Sequence, residues 1–326
     1  MPQRRLSGPA PLGLTTPPGN ARAGHARGSK AVSLALVQFA PRKGDVGANL
    51  ESVGAALSAL QDEGDPLPDV VVFPEACLSG YFVEGGVREV ALGAQEALQR
   101  IARAARNALG RSHAGFDAVL GFYEQDGGKY YNSALYGAIG QRSELRHVHR
   151  KLFLPTYGVF DEERFVSRGR TIECFNTRYG RAAILICEDA CHSLATTIAA
   201  LKGAEVIYIP SASPGRGLED VEPANVRMWR DIMRVTAAEH GIYVAYAGLV
   251  GFEGGKGFTG GSRLVGPFGD LRGEAPFAQA AVLRATMQME EVTVARASLP
   301  MLGDLETNLA ELGAMLQSCA RAGDER

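Results

Sequence analysis

Two kinds of apolar spacing alternate along the chain: short uninterrupted runs, and stretches in which apolar residues recur every three or four positions. Uninterrupted runs are typical of strands buried on both faces, whereas the wider spacing is typical of amphipathic helices. Together with the polar–apolar alternation of 144–151, the runs predict strands over 32–39, 69–73, 118–124, 129–138, 144–151, 182–187, 206–210, 242–247, 261–265, 281–285 and 292–295. The wider spacing predicts helices over 45–60, 94–108, 193–202, 222–240 and 305–319.

Helices and strands follow one another in both halves of the chain, so we expect an α/β fold with two mixed sheets packed face to face and helices outside. Residues 1–30 are rich in Pro, Gly, Arg and Ser and predict a disordered tail. Their arginines could also suggest a transit peptide or an anionic partner, but no apolar run of signal-peptide length occurs there. A single domain is expected over 31–300, followed by a helical tail over 301–326.

The composition is that of an ordinary soluble globular protein: 46% of the 326 residues are hydrophobic, 21% are charged, and the net charge is -2. These values give no indication of nucleic-acid or membrane binding. Five cysteines without the spacing of a disulfide framework favour a reducing compartment, so we expect a cytoplasmic protein. Cys187, Cys191 and His192 could suggest zinc, but no second Cys/His pair has matching spacing, and neither a metal nor another cofactor is expected.

Three predicted strands end on side chains with complementary chemistry: Glu75, Lys151 and Cys187. Ligands collect at the carboxyl ends of strands in open sheets, so these residues could converge on one site. A thiolate can attack a carbonyl carbon, a carboxylate can move the proton, and an ammonium can stabilise the oxyanion. Each residue alone has a simpler interpretation, since a strand-end cysteine is usually packed in the core and the other two could be solvated.

The sequence around these three residues resembles the signature blocks of the nitrilase, or carbon–nitrogen hydrolase, superfamily. The blocks are Phe-Pro-Glu at 73–75 with Leu-Ser-Gly-Tyr at 78–81, His-Arg-Lys-Leu-Phe-Leu-Pro at 149–155, and Ile-Cys-Glu-Asp at 186–189. They occur in the family's order, and the resemblance extends from about Ala31 to about Pro300. It implies a four-layer α-β-β-α sandwich and homodimers built through a helical face.

The resemblance also implies a role for each residue. Cys187 would attack an amide carbon to give a thioester and release ammonia or an amine, and water would then hydrolyse the acyl-enzyme. Glu75 would act as the general base and then as the general acid. Lys151 would stabilise the tetrahedral oxyanion together with the backbone N–H of Glu188.

A second glutamate near the lysine is implied by the same resemblance. Similar sequences often place it eleven positions after the lysine, which is Glu162 here, between Asp161 and Glu163. A carboxylate there would keep Lys151 charged and oriented. Glu163 is the alternative choice, and the acidic trio could also be a solvated turn.

The residue after the nucleophile departs from the commoner superfamily pattern, because Glu188 stands where an aromatic residue often follows the cysteine. The segments 157–162, 187–189 and 211–214 are more similar to the glutaminase domain of glutamine-dependent NAD synthetases. This similarity implies a carboxamide substrate with a polar side. The candidate substrate-binding residues, each of which could instead serve packing or capping, are Tyr81, Tyr157, Glu188, Ser211 and Ser213.

No phosphate-binding glycine loop followed by Lys and Ser or Thr occurs in the sequence, and the chain ends at Arg326 without room for a synthetase domain. We therefore expect a stand-alone amidase whose partner is a small amide. A nitrilase or an N-carbamoyl hydrolase of the same chemistry is one alternative. The other is a nitrilase-like scaffold that binds a small molecule or a protein without turnover, although the complete Glu–Lys–Cys set argues against it.

Overall fold

The computed structural model describes residues 13–15, 31–62, 66–216 and 222–324. The strands are β1 Gly13–Thr15, β2 Ala31–Gln38, β3 Val70–Val72, β4 Phe116–Asp126, β5 Lys129–Ile139, β6 Glu144–Arg150, β7 Cys174–Thr177, β8 Gly180–Ile184, β9 Val206–Ser211, β10 Tyr243–Gly248, β11 Val250–Glu253, β12 Lys256–Thr259, β13 Arg263–Val265, β14 Leu271–Glu274 and β15 Ala281–Gln288. The helices are α1 Val46–Asp62, α2 Val87–Val90, α3 Ala94–Leu109, α4 Glu188–Cys191, α5 Ser193–Leu201, α6 Ala224–His240, α7 Glu290–Ser298, α8 Met301–Thr307 and α9 Leu309–Asp324.

Most of the described strands belong to two mixed sheets. One has seven strands in the order β1-β15-β2-β3-β4-β5-β6, the other has six in the order β14-β13-β10-β9-β8-β7, and β11 and β12 form a separate hairpin. The centre of each sheet is parallel, comprising β2, β3 and β4 in the first sheet and β8, β9 and β10 in the second. This arrangement brings the carboxyl ends of β3 and β8 to positions where side chains can meet.

Strand β2 shows how the layers are stacked. Leu34 and Leu36 belong to the core that also contains Ile207 of the second sheet, whereas Ala35 and Val37 point the other way, toward helices. The helices α1 and α3 cover that outer face with Val53, Leu57, Leu98 and Ile101. The helices α5 and α6 pack on the second sheet through Ala195, Ala199, Trp229, Met233 and Ala237. The predicted α-β-β-α sandwich of two mixed sheets is confirmed.

The first helix begins where the sequence predicts. The Asp45 carboxylate accepts a hydrogen bond from the backbone N–H of Ala48 at 2.9 Å, which satisfies one of the free donors of the first turn. Val53, Leu57 and Leu60 are fully buried, so the spacing that predicted the helix also identifies its core face.

The strand predicted over 292–295 is wrong, because these residues lie within helix α7. The run contains β-branched residues, but Val292 and Ala295 are three positions apart and both face the core, as a helix requires. Glu290 and Glu291 in the first turn complement the helix dipole. Strands β7, β11, β12 and β14 were not predicted, and the helix predicted over 305–319 is divided between α8 and α9.

The N-terminal segment is described only over Gly13–Thr15, which pairs in parallel with the start of β15. For these three residues the predicted disorder is replaced by a strand, and the rest of 1–30 lies outside the described residues. The domain limits of 31–300 and 301–326 therefore stay a prediction. Among the described helices, none combines the length and apolarity that a membrane crossing requires.

Candidate active site

The three predicted catalytic residues follow strands of both sheets. Glu75 comes after β3 and Lys151 directly after β6, both in the seven-stranded sheet, whereas Cys187 comes after β8 in the six-stranded sheet. Glu75 and Lys151 are at most 1% exposed, and Cys187 is 9% exposed. The backbone N–H of Cys187 still donates to Pro210 at 3.0 Å, so pairing with β9 continues beyond the end of β8 and fixes the cysteine.

Glu75 is held by three donors. Its Oε1 accepts hydrogen bonds from Lys151 Nζ at 2.7 Å and from Asn132 Nδ2 at 2.8 Å, and its Oε2 accepts one from the backbone N–H of Ala212 at 2.7 Å. The turn that carries Glu75 crosses β4 at Gly121, where a Cβ atom would lie 2.6 Å from the Cα of Glu75. Only glycine allows this close approach, so the neighbouring strand sets the position of the carboxylate.

Glu162 joins the same network, whereas Glu163 is exposed. Lys151 Nζ lies 2.9 Å from Glu162 Oε2, and Asn132 Nδ2 donates to Glu162 Oε1 at 2.7 Å. One ammonium and one amide therefore sit between two buried carboxylates. Of the two candidates for the second glutamate, Glu162 is the one with the expected contact to the lysine.

Asn132 was missed by the sequence analysis, although it touches both carboxylates. It lies in β5 and is completely buried. The available signal was an asparagine in the middle of a predicted strand, since asparagine is depleted in strands and needs partners when buried. The residues on both sides of Asn132 in the sequence are also polar, so the pattern did not indicate which face of the strand is buried.

The backbone of Cys187 is strained. Its φ of 44° and ψ of -105° place a residue that has a side chain in a region that normally favours glycine. The Ser211 hydroxyl donates a hydrogen bond to the cysteine Sγ at 3.2 Å. A sharp turn at the end of a buried strand, with a hydroxyl against the sulfur, presents the thiol in one fixed orientation.

The charges of the network act on one another. Burial would lower the pKa of Lys151, but Glu162 and Glu75 raise it well above its usual range, so the ammonium is charged. Burial raises the pKa of Glu75, and the neighbouring lysine only partly offsets this shift. Burial and the Glu75 carboxylate raise the pKa of the Cys187 thiol well above its ordinary value, against a smaller lowering by Lys151. Burial and the Glu75 carboxylate therefore disfavour the thiolate of Cys187.

Tyr81 lies beside this network. Lys151 Nζ is 5.5 Å from the centre of its ring, and within the described part of the chain its buried hydroxyl has no hydrogen-bond partner. The backbone N–H groups of Tyr81 and Phe82 donate to the buried Glu253 carboxylate at 2.8 to 3.2 Å, which fixes the segment. A cavity of about 180 Å³ adjoins it, with a lining that includes Tyr81, Tyr123, Glu162, Phe165 and Val166.

Tyr157 and Glu188 are on a more open side. The Tyr157 side chain is 47% exposed, and its hydroxyl donates to Glu188 Oε2 at 2.9 Å. The Arg216 guanidinium lies 5.4 Å from the centre of the same ring, and the sequence analysis missed it because a lone arginine after a strand carries no distinctive signal. An acid, a phenol and a guanidinium thus form a polar rim, which we define as Tyr157, Glu188 and Arg216.

The two candidate serines differ in their contacts. Ser211 touches the sulfur directly, as described above. Ser213 is tied instead to α6, because its hydroxyl accepts a hydrogen bond from Asn225 Nδ2 at 3.1 Å. The structure therefore brings Ser211 to the nucleophile and attaches Ser213 to the wall of the domain.

Across the described residues, no three His, Cys, Asp or Glu side chains converge in a way that could hold a metal ion. The chemistry available in this site is that of a thiol on which a carboxylate and an ammonium act electrostatically, with a second carboxylate paired with the ammonium. Such a set can transfer an acyl group through the sulfur, with the proton carried by the carboxylate.

This fold, with a buried glutamate, lysine and cysteine that follow its strands, fits the class of carbon–nitrogen hydrolases. The family model for carbon-nitrogen hydrolases matches residues 33–297, and the chain belongs to that family.

Curated relatives include the glutamine-dependent NAD(+) synthetase of Thermotoga maritima, which is 27% identical over 80% of this chain and 43% of the synthetase. The enzyme of the same name from Xylella fastidiosa is 33% identical over 73% of this chain and 41% of its own length. The chain thus spans about two fifths of the length of these synthetases. A probable nitrilase of Schizosaccharomyces pombe is 27% identical and is covered over 82% of its length.

Solved structures show the same fold. A carbon-nitrogen hydrolase from Helicobacter pylori has a TM-score of 0.74 and 23% identity, with 86% of this chain and 98% of that chain covered. An amidase from Nesterenkonia sp. has a TM-score of 0.66 and 24% identity, with 84% and 96% covered. A mutant of that amidase carries acrylamide added to its active-site cysteine.

Proposed function

We propose that this protein hydrolyses a small amide through a thioester on Cys187. The observation that supports this best is the buried network of Glu75, Lys151 and Glu162, in which the charges of Glu75 and Lys151 act on the thiol of Cys187. Burying a lysine and two carboxylates costs free energy unless the charges are paired with one another. Buried groups with shifted pKa values are found most often at functional sites.

In the first half-reaction, Glu75 takes the proton of the Cys187 thiol as the sulfur attacks the amide carbon. A C–S bond forms, and the carbonyl oxygen becomes an oxyanion that Lys151 and the backbone N–H of Glu188 stabilise. When the intermediate collapses, the C–N bond breaks and Glu75 gives its proton to the leaving nitrogen. The products are a thioester and free ammonia or an amine.

In the second half-reaction, Glu75 accepts a proton from water, and the resulting hydroxide attacks the thioester carbon. The C–S bond breaks, the acid leaves, and the proton returns to the sulfur. Glu162 takes no proton in this scheme. It keeps Lys151 charged and oriented, and Asn132 holds both carboxylates at a fixed separation.

The substrate we propose is a carboxamide with a polar or charged group beyond its acyl chain. Support comes from the polar rim, where Glu188 suits an ammonium or hydroxyl and Arg216 suits a carboxylate. Tyr81 and Ser211 would line the reacting end. The curated relatives that are named for their use of glutamine also favour a primary carboxamide of this type. A cytoplasmic location and a homodimer stay predictions.

The test is a panel of amides, nitriles and N-carbamoyl amino acids incubated with the full chain and with Cys187→Ala. We expect ammonia from a polar amide, no carbon dioxide, and a transient acyl adduct on Cys187 by mass spectrometry. Carbon dioxide together with ammonia would instead identify an N-carbamoyl hydrolase, and turnover of nitriles alone would identify a nitrilase. Full turnover by Cys187→Ala would contradict the mechanism, and binding without any turnover would leave a non-catalytic scaffold.

A further inference from the structure

The carboxylate of Asp189, two residues after the nucleophile, is completely buried and accepts four hydrogen bonds. Its Oδ1 accepts from the backbone N–H groups of Leu152 and Phe153, both at 2.9 Å. Its Oδ2 accepts from the backbone N–H of Ile186 at 3.1 Å and from the Nε2 of His149 at 2.8 Å. None of these hydrogen bonds is to the side chain of Glu75, Lys151 or Cys187.

The four donors surround the catalytic residues in sequence. Leu152 and Phe153 directly follow the catalytic lysine, His149 precedes it by two positions, and Ile186 directly precedes the nucleophile. His149 lies near the end of β6 in the seven-stranded sheet, and Leu152 and Phe153 belong to the segment that leaves it. Ile186 belongs to the segment that leaves β8 of the six-stranded sheet. One carboxylate therefore ties together two catalytic segments that come from different sheets.

His149 supplies the only side-chain donor among the four. It is 2% exposed, and its Nε2 must carry the proton because an ionised carboxylate can only accept. Its neighbour two positions earlier on the same strand, His147, stacks on Phe175 instead, with the ring centres 4.4 Å apart. The two histidines thus provide one residue that reaches the catalytic segments and one that does not.

The hydrogen bonds of Asp189 lie next to the strained backbone of Cys187, which needs support from its surroundings. A non-glycine residue with φ near 44° persists only when its surroundings hold it there. The hydrogen bond from Ile186 to Asp189 closes the turn around Cys187, and His149 donates to the same carboxylate oxygen from β6. Without the histidine, Oδ2 would keep one donor of two, and the turn could relax toward an ordinary conformation.

We propose that His149 and Asp189 form a positioning clamp that fixes the Cys187 turn relative to Lys151, and that the clamp acts on the rate of acylation rather than on substrate binding. This inference rests on the proposed function for its catalytic readout. Misplacing a reacting atom by about 1 Å costs on the order of a hundredfold in rate. We expect loss of the clamp to lower kcat by about tenfold to a hundredfold with KM changed by less than about threefold.

The experiment compares His149→Gln with His149→Asn in the full chain. The amide nitrogen of glutamine can replace Nε2 and reach Asp189, whereas the shorter asparagine cannot. His149→Gln should retain kcat within about threefold, and His149→Asn should show the full loss. His147→Leu, on the same strand but outside the clamp, is the matched control and should keep the wild-type kcat.

Acylation of Cys187 by 4-nitrophenyl acetate, followed as the release of nitrophenolate, separates this inference from the proposed function. An activated ester acylates the thiol even if the natural substrate is not an amide. If the protein turns over no amide but the Gln and Asn variants differ in acylation rate, the proposed function is wrong and the clamp is supported. Equal acylation rates and equal kcat for the folded Asn and Gln variants would overturn the clamp. If His149→Asn does not fold, Asp189→Asn replaces it: an acylation rate at the wild-type level would equally overturn the clamp, and a loss of about tenfold or more would support it.

Discussion

The buried network and the polar rim of this site are built differently. Glu75, Lys151 and Glu162 are almost completely excluded from solvent, and hydrogen bonds of 2.7 to 2.8 Å together with an ion pair of 2.9 Å fix their relative positions. In the rim, Tyr157 is nearly half exposed, and its contacts include a hydrogen bond to Glu188, the Arg216 guanidinium and the ring of Phe160. The first region is suited to chemistry that tolerates no displacement, and the second can change its partners with the ligand.

This difference predicts where kinetic effects should fall. Interactions made only in the transition state lower kcat when they are removed, whereas interactions made equally with the bound substrate raise KM. Substitutions in the buried network should therefore lower kcat, and substitutions in the rim should raise KM. The following variants test that division in order of decreasing effect.

The largest effect is expected for Cys187→Ala, which removes the nucleophile. Turnover should fall by about 10⁴-fold or more, because the substitution removes the sulfur that forms the acyl bond. Steady-state ammonia release measures the loss, and an unchanged circular dichroism spectrum shows that the fold is intact. Cys77, which is buried and hydrogen-bonded to Gly121, supplies the control: Cys77→Ala should leave kcat within about threefold.

Glu75→Gln should lower kcat by about 10² to 10⁴-fold, because the amide cannot carry the proton. The wild-type pH profile adds a second readout. Burial raises the pKa of Glu75, so the base becomes protonated, and activity should fall, at a pH above the usual range for a glutamate. In the variant this acid limb should disappear from the profile of kcat/KM. An acid limb that persists unchanged would assign the base to another group.

Glu162→Gln should have a smaller effect, about tenfold to a hundredfold in kcat, because it leaves Glu75 in place and weakens the hold on Lys151. The matched control is Glu163→Gln at the exposed neighbouring position. Steady-state kinetics of the two variants should differ clearly. Equal and small effects would mean that the second carboxylate is dispensable.

The smallest effect is expected in the rim. Glu188→Gln removes a charge but keeps the backbone N–H and a hydrogen-bonding side chain, so KM should rise by about three- to tenfold with little change in kcat. Tyr157→Phe, which removes the hydroxyl that contacts Glu188, should act in the same direction and less strongly. A loss in kcat without a change in KM would place Glu188 with the buried network instead.

The sequence was most informative where strands are continuous and apolar. The end of β8, with its buried run from Ala182 to Ile186, predicted both a central strand and the place of the cysteine. The sequence was least informative where the same apolar pattern fits both a strand and a helix. The run Val292–Ala295 reads equally well as a strand or as one face of a helix, and the packing of α7 decided it.

The residues of the site can also be divided into those that the sequence indicates and those that it does not. Glu75, Lys151 and Cys187 could be proposed because each follows a predicted strand and lies in a recognisable block. Asn132 and Asp189 could not be assigned, since a buried polar side chain is revealed only by its partners, and those partners lie far away in the sequence. The positive φ of Cys187 was equally out of reach, because backbone strain at a non-glycine residue leaves no trace in composition or spacing.

Because Lys151 and Cys187 come from opposite sheets, the active site exists only while the two sheets stay stacked in register. A small slip of one sheet over the other would separate sulfur from ammonium while leaving every strand ladder intact. Turnover therefore reports on whether the two sheets are correctly stacked. In a denaturant titration, turnover should vanish before the far-ultraviolet signal of the helices and strands begins to decline.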